Sequence, residues 1–122
     1  MLNKVMLIGN VGRNPDYTRW DNGGSLAVTT LATTEREFTT KDGRRIPERT
    51  EWHNIVFRNQ LAEIVNKYVH TGDRIYVEGK LTTRSYDDAE GVKRTVTEIQ
   101  VHNLVLLSSK PKETPVEEDI FR

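Results

Sequence analysis

The chain of 122 residues contains no cysteine. That excludes a disulfide framework and any thiolate metal site. No run of about 18 apolar residues occurs, so no membrane-spanning helix is expected. The opening Met1-Leu2-Asn3-Lys4-Val5-Met6-Leu7-Ile8 has a short apolar run and no small-residue cleavage site, so it does not read as a secretion signal. A cytoplasmic, nucleoid-associated chain is the expectation. Histidine is sparse: His53, His70 and His102 stand apart, with no paired-histidine motif for a metal. No cofactor is expected. Gly9-Asn10-Val11-Gly12 lacks the Lys-Ser/Thr ending of a phosphate loop. No Ser, His and Asp set has readable catalytic spacing, so an enzyme is not expected. Excess charge is absent too: the formal net charge is zero. A bluntly electrostatic nucleic-acid binder is usually basic overall. The balance is uneven, however. From 36 to 49, Arg36, Lys41, Arg44, Arg45 and Arg49 face only Glu37, Asp42 and Glu48, whereas Glu117, Glu118 and Asp119 are consecutive.

What is present is strand alternation punctuated by turns. Asn3 to Val11 is a short apolar run closed by a turn. Tyr17 to Trp20 is a short strand candidate, and Asp21-Asn22-Gly23-Gly24 is a hairpin turn. Ser25 to Phe38 is rich in Thr, Val and Leu. Lys41-Asp42-Gly43 turns the chain, and Pro47 has no N–H for a ladder. Thr50 to Arg58 places Trp52, Asn54, Val56 and Arg58 on one face, with His53, Ile55 and Phe57 on the other. This strand alone leaves Trp52 as either a core residue or a stacking platform for bases.

The period then changes. Leu61, Ile64, Val65, Tyr68 and Val69 recur at helical spacing, with Asn59 as N-cap and Gly72 as terminator. From Arg74 to Tyr86 alternation returns, with Ile75, Val77, Gly79 and Leu81 opposite Tyr76, Glu78, Lys80, Thr82, Arg84 and Tyr86. Asp87 to Gly91 is a turn, and Lys93 to Leu107 is the last long strand. Nothing repeats internally. The expected fold is all-β: a five-stranded OB-fold barrel with one short α-helix between strands 3 and 4. Residues 1–107 form the domain, and 108–122 form a flexible, polar, Pro-containing tail.

These residues resemble the bacterial and mitochondrial single-stranded DNA-binding protein family. The resemblance runs from about Leu2 to Leu107. It rests on Asn3-Lys4-Val5-Met6-Leu7-Ile8-Gly9-Asn10-Val11-Gly12 with Pro15, and on Asn22-Gly23-Gly24 followed by Leu31-Ala32-Thr33. It rests equally on Thr50-Glu51-Trp52-His53 with Leu61-Ala62-Glu63, and on Tyr76-Val77-Glu78-Gly79-Lys80-Leu81. Each motif is weak alone; the four in order are specific.

The resemblance implies a non-catalytic protein that coats single-stranded DNA in replication, recombination and repair, commonly as a homotetramer. It implies stacking by Trp52, Phe38 and Tyr86. The basic candidates are Lys4, Arg36, Arg44, Arg45, Arg49, Arg58, Lys80 and Arg84. His53 falls at or near a subunit contact. Glu117-Glu118-Asp119-Ile120-Phe121 resembles the family's acidic tip, which docks replication and repair enzymes, but the terminal Arg122 departs from it. Arg58 stands where the family has an aromatic, and Asn54 where it often has a positive charge. Trp20, before the hairpin turn, is open to packing or stacking. An interaction protein of the primosomal type, or a binder carried by a phage or mobile element, shares the fold.

Overall fold

The computed structural model describes residues 1–108. Along them run β1 (Val5–Val11), β2 (Asp16–Arg19), β3 (Ser25–Glu35), β4 (Phe38–Thr39), β5 (Arg45–Ile46), β6 (Arg49–Arg58), α1 (Gln60–Tyr68), β7 (Arg74–Asp87) and β8 (Lys93–Ser108). The main sheet has the order β1-β7-β8-β6-β3-β2 and closes through a second pairing of β1 with β3. Closure falls to β1. Val5 to Asn10 pair with β7, while Asn10 and Val11 pair with Ala32 and Leu31 of β3. Five strands thus form a closed barrel, with β2 as an extra strand outside β3. This is the OB-fold.

Alternation decides what fills the barrel. Ala27 and Leu31 of β3, Ile55 and Phe57 of β6, Ile75 and Val77 of β7, and Ile99 and Val101 of β8 all point inward and are buried. Ala62 and Val65 of α1 close one end, followed by Val69. At about 1.5–3 kcal/mol per buried aliphatic or Phe side chain, this set supplies the main stabilising term.

The helix starts after Asn59, as its sequence reading has it, but differs from that reading in its capping and at its far end. Asn59 makes no side-chain cap. Its Oδ1 instead accepts from Ser25 N at 3.3 Å, and its carbonyl accepts from Ser25 Oγ at 3.2 Å, which ties the helix start to β3. At the other end Val69 is already extended, so the helix stops at Tyr68 rather than running to Gly72. Tyr68 is exposed, although its spacing read as apolar face. Tyr17 Oη donates to Glu63 Oε2 at 2.6 Å, joining β2 to α1.

The long strand read over Ser25 to Phe38 is also divided. The β3–β6 ladder ends at Glu35 opposite Arg49. Just beyond lies Pro47, which cannot donate to a ladder. Phe38 therefore begins a separate two-stranded hairpin, pairing with Ile46.

Candidate nucleic-acid interface

The outer side of β6 carries Trp52, Asn54 and Arg58, all exposed, with Val56 buried between its neighbours, while Ile55 and Phe57 fill the core. Register extends this face across neighbouring strands. On β3, Ala32 lies opposite Trp52, Thr30 opposite Asn54, Val28 opposite Val56 and Leu26 opposite Arg58. On the other side β8 runs parallel, with Ile55 beside Ile99. Asn54 and Glu98, each one residue earlier, therefore share the outer side. Across β8, Thr82, Arg84 and Tyr86 of β7 pair with Glu98, Val96 and Arg94. One continuous surface thus runs from Tyr86 through Arg84 and Glu98 to Asn54, Trp52 and Thr30.

Trp52 is not a core residue; it is 61% exposed. Its ring is seated on Gly12. A Cβ on Gly12 would run into Trp52 Cζ3 and Thr30 Oγ1. The missing side chain lets the indole pack closely on the Gly12 backbone while most of Trp52 stays exposed. Gly12 read only as a turn residue in the sequence. Its role depends on β1 reaching β3, which local pattern does not report.

Tyr86 is 45% exposed, with the Arg84 guanidinium 5.9 Å from its ring centroid. Arg84 Nε also donates to Glu98 Oε2 at 3.0 Å, and that carboxylate is buried. A buried charge demands a partner, so Glu98 holds Arg84 in place beside Tyr86. Sequence reasoning missed Glu98, since nothing local distinguishes it from a solvated strand residue. At the hairpin end Asp88 accepts from Arg94 Nε at 2.9 Å and from the Val92 amide. The Arg94 contact, ahead of the amides, holds the Asp88 carboxyl below its ordinary range.

The other candidates are dispersed. Phe38 is 54% exposed and sits on the β4–β5 hairpin, beyond the end of the β3–β6 ladder. On that hairpin Arg45 forks onto Glu37 at 2.9 and 2.7 Å, and Arg44 Nε meets Asp42 at 3.3 Å. The Thr40 hydroxyl, then Arg44, lowers the Asp42 carboxyl. Arg49 points to the side opposite Trp52. There it pairs with Glu51 at 3.1 Å and lines a small cleft with Thr33 and Glu35.

Lys4 is also remote from Trp52. It pairs with Glu78 at 2.7 Å on the outer side of β1 and β7, and Glu78 accepts from Asn103 as well at 3.1 Å. The Lys4 contact raises the lysine and lowers the Glu78 carboxyl. Arg36, Arg58 and Lys80 make no ion pair among the described residues. Of these, Arg58 lies on the Trp52 strand and Lys80 continues the Arg84 face of β7.

His53 faces away from Trp52, is half-buried and is hydrogen-bonded through Nε2 to Thr33 Oγ1 at 2.9 Å. Among the described residues no cluster of three His, Cys, Asp or Glu is placed to hold a metal. None of their helices is long and apolar enough to cross a membrane. The tail candidates Glu117, Glu118, Asp119, Ile120 and Phe121 lie outside the described residues.

A closed five-stranded barrel with exposed aromatic and guanidinium groups on one open face is an OB-fold of the oligonucleotide-binding class. The model of the Single-strand binding protein family matches residues 2–107, and this chain belongs to that family. A single-stranded DNA-binding protein of Bacteroides thetaiotaomicron is 56% identical over 113 residues, covering 93% of this chain and 70% of the relative. Single-stranded DNA-binding protein 1 of Xylella fastidiosa is 42% identical over 109 residues, covering 89% of this chain and 79% of the relative. Among solved structures, the Plasmodium falciparum SSB complex with ssDNA superposes with a TM-score of 0.76 at 32% identity, covering 88% of this chain and 96% of that one.

Proposed function

We propose that this protein binds single-stranded DNA without strong sequence preference, and that it covers the strand during replication, recombination and repair. It acts by binding, not by catalysis. The observation that carries this reading is the Trp52 ring, seated on Gly12 and open to solvent at the centre of a continuous face. Every base has a π-face, so stacking there is sequence-tolerant and contributes about 1–3 kcal/mol per base. Arg84, held beside Tyr86, supplies a placed guanidinium for phosphate or base. Duplex DNA hides its base faces and is expected to bind poorly.

The relatives' names and the bound single strand in the Plasmodium structure support the same reading. A homotetramer is supported by a second surface. Ile8, Tyr76 and Val105 form a row across β1, β7 and β8 on their outer side, next to Met6, and Ile8, Met6 and Val105 are exposed. An apolar row of this kind suits contact with another copy of the chain. Recruitment of replication and repair enzymes through Glu117 to Phe121 belongs to the same proposal.

The test is intrinsic Trp fluorescence during titration with oligothymidine at low and high salt, with duplex DNA as control. Quenching by the single strand alone supports stacking, and the log–log salt slope should be about −0.7 per phosphate neutralised. Absence of both quenching and binding would favour the reading in which the fold serves protein partners.

A further inference from the structure

A second tryptophan is seated on the same face as Trp52, at the far end of β6. Trp20 follows β2, and the turn after it is closed by Trp20 N donating to the Gly24 carbonyl at 2.8 Å and Gly23 N donating to the Trp20 carbonyl at 3.0 Å. Along β3 the outer positions are Leu26, Val28 and Thr30, facing Arg58, Val56 and Asn54. Gly24, two residues before Leu26, opens in the same direction. A Cβ on Gly24 would touch Trp20 Cε3 at 3.4 Å, so the ring lies on the outer side of Gly24. β2 agrees. Thr18 pairs with outward Leu26, whereas Tyr17 turns the other way to reach Glu63 of α1.

The neighbour that completes the pair is Arg58. It stands opposite Leu26 on the outer side, is exposed and makes no ion pair among the described residues. Trp20 is itself 46% exposed. The nearest acidic residue in sequence, Asp21, is in the exposed turn. A π-face and an uncommitted guanidinium on one side of a sheet have the chemistry that takes a base and its phosphate.

We propose that Trp20 and Arg58 form a second stacking subsite for single-stranded nucleic acid. Arg58 lies six positions along β6 from Trp52, which at about 3.3 Å per position is about 20 Å. The strand leaving Trp52 passes along β6 over Asn54 and lays a further base on Trp20, with Arg58 meeting the phosphate. This inference rests on the proposed single-strand binding, and it assigns Trp20 and Arg58 a shared role within it.

The chain has two tryptophans, which makes the test direct. Trp52→Phe leaves Trp20 as the sole indole, and Trp20→Phe leaves Trp52. Each is titrated with oligothymidine while anisotropy of an end-labelled oligothymidine reports binding independently. Both single-tryptophan proteins should be quenched. Adding Arg58→Ala to the Trp52→Phe protein should reduce Trp20 quenching, weaken binding several-fold and lower the salt slope by about 0.7. Quenching of Trp52 with Trp20 silent, while anisotropy shows binding, would overturn the subsite and leave the main reading intact. Trp20 quenching that is indifferent to Arg58→Ala would overturn the pairing of the two residues. Failure of the unaltered chain to bind by anisotropy would remove the main reading itself. Arg58 is exposed and both tryptophan changes keep an aromatic ring, so folding is expected to survive; circular dichroism checks it.

Discussion

At the scale of single residues, function rests on what lies beneath or beside each exposed group. Trp52 depends on Gly12. Trp52→Ala should weaken oligothymidine binding by about 1–3 kcal/mol, the contribution of one stacked base. Gly12→Ala should displace the indole and produce a loss in the same direction with Trp52 still present. A Gly12→Ala protein that binds and is quenched like the original would show that the seat is not needed. Arg84 and Glu98 form the second dependent pair. Arg84→Ala strands a buried carboxylate, at a stability cost of about 1–3 kcal/mol. Adding Glu98→Gln to Arg84→Ala should recover much of that stability in urea unfolding, without restoring DNA affinity. Alternation along Thr50 to Arg58 made the shared face of Trp52, Asn54 and Arg58 legible in sequence. The seats on Gly12 and Gly24, and the Arg84–Glu98 pair, were not legible, because each is made by residues on different strands or by a returning turn.

At the scale of elements, the joints between strands and helix are polar and titratable. Tyr17 Oη, followed by a Ser25 hydroxyl contact, holds the Glu63 carboxyl below its ordinary 4.5. A carboxylate lowered by folding contributes stability that is present above its unfolded value and lost as pH falls through the folded one. The β2–α1 joint should therefore weaken as pH falls below about 4.5. Thermal melts from pH 6 to pH 3 should show a smaller loss for Glu63→Gln than for the unaltered chain. Equal losses would place the acid sensitivity at Asp42, Glu78 or Asp88, whose carboxyls are also lowered. The β4–β5 hairpin is a different kind of element. Its Arg44 and Arg45 already face Asp42 and Glu37, so a phosphate must compete with carboxylates for them. Composition showed the local cationic excess. The pairing that offsets it requires the hairpin to form.

At the scale of the whole molecule, a net charge of zero is compatible with single-strand binding because several cations keep no carboxylate partner. Lys4, Arg44, Arg45, Arg49 and Arg84 are matched to carboxylates, whereas Arg36, Arg58 and Lys80 stand without ion pairs among the described residues. The apolar row of Ile8, Tyr76 and Val105 is a separate surface, set by the pairing of β1, β7 and β8. Ile8→Glu places a charge in that row and should shift the mass in light scattering toward smaller assemblies. An unchanged mass would count against this row as a contact between copies of the chain.

Period-two alternation, turn residues and one stretch of helical spacing determined by themselves that this chain is a small β-barrel with a single helix, and which side chains share a strand face. Those are local properties, set by backbone geometry and side-chain chemistry within a few residues. Only the tertiary structure decided that Phe38 falls on a separate hairpin and that β6 extends back to Arg49 opposite Glu35. It alone decided that Gly12 carries Trp52 and that Trp20 comes to rest on the same face as Arg58. Each of these depends on strand register and barrel closure, which bring together groups far apart in the chain.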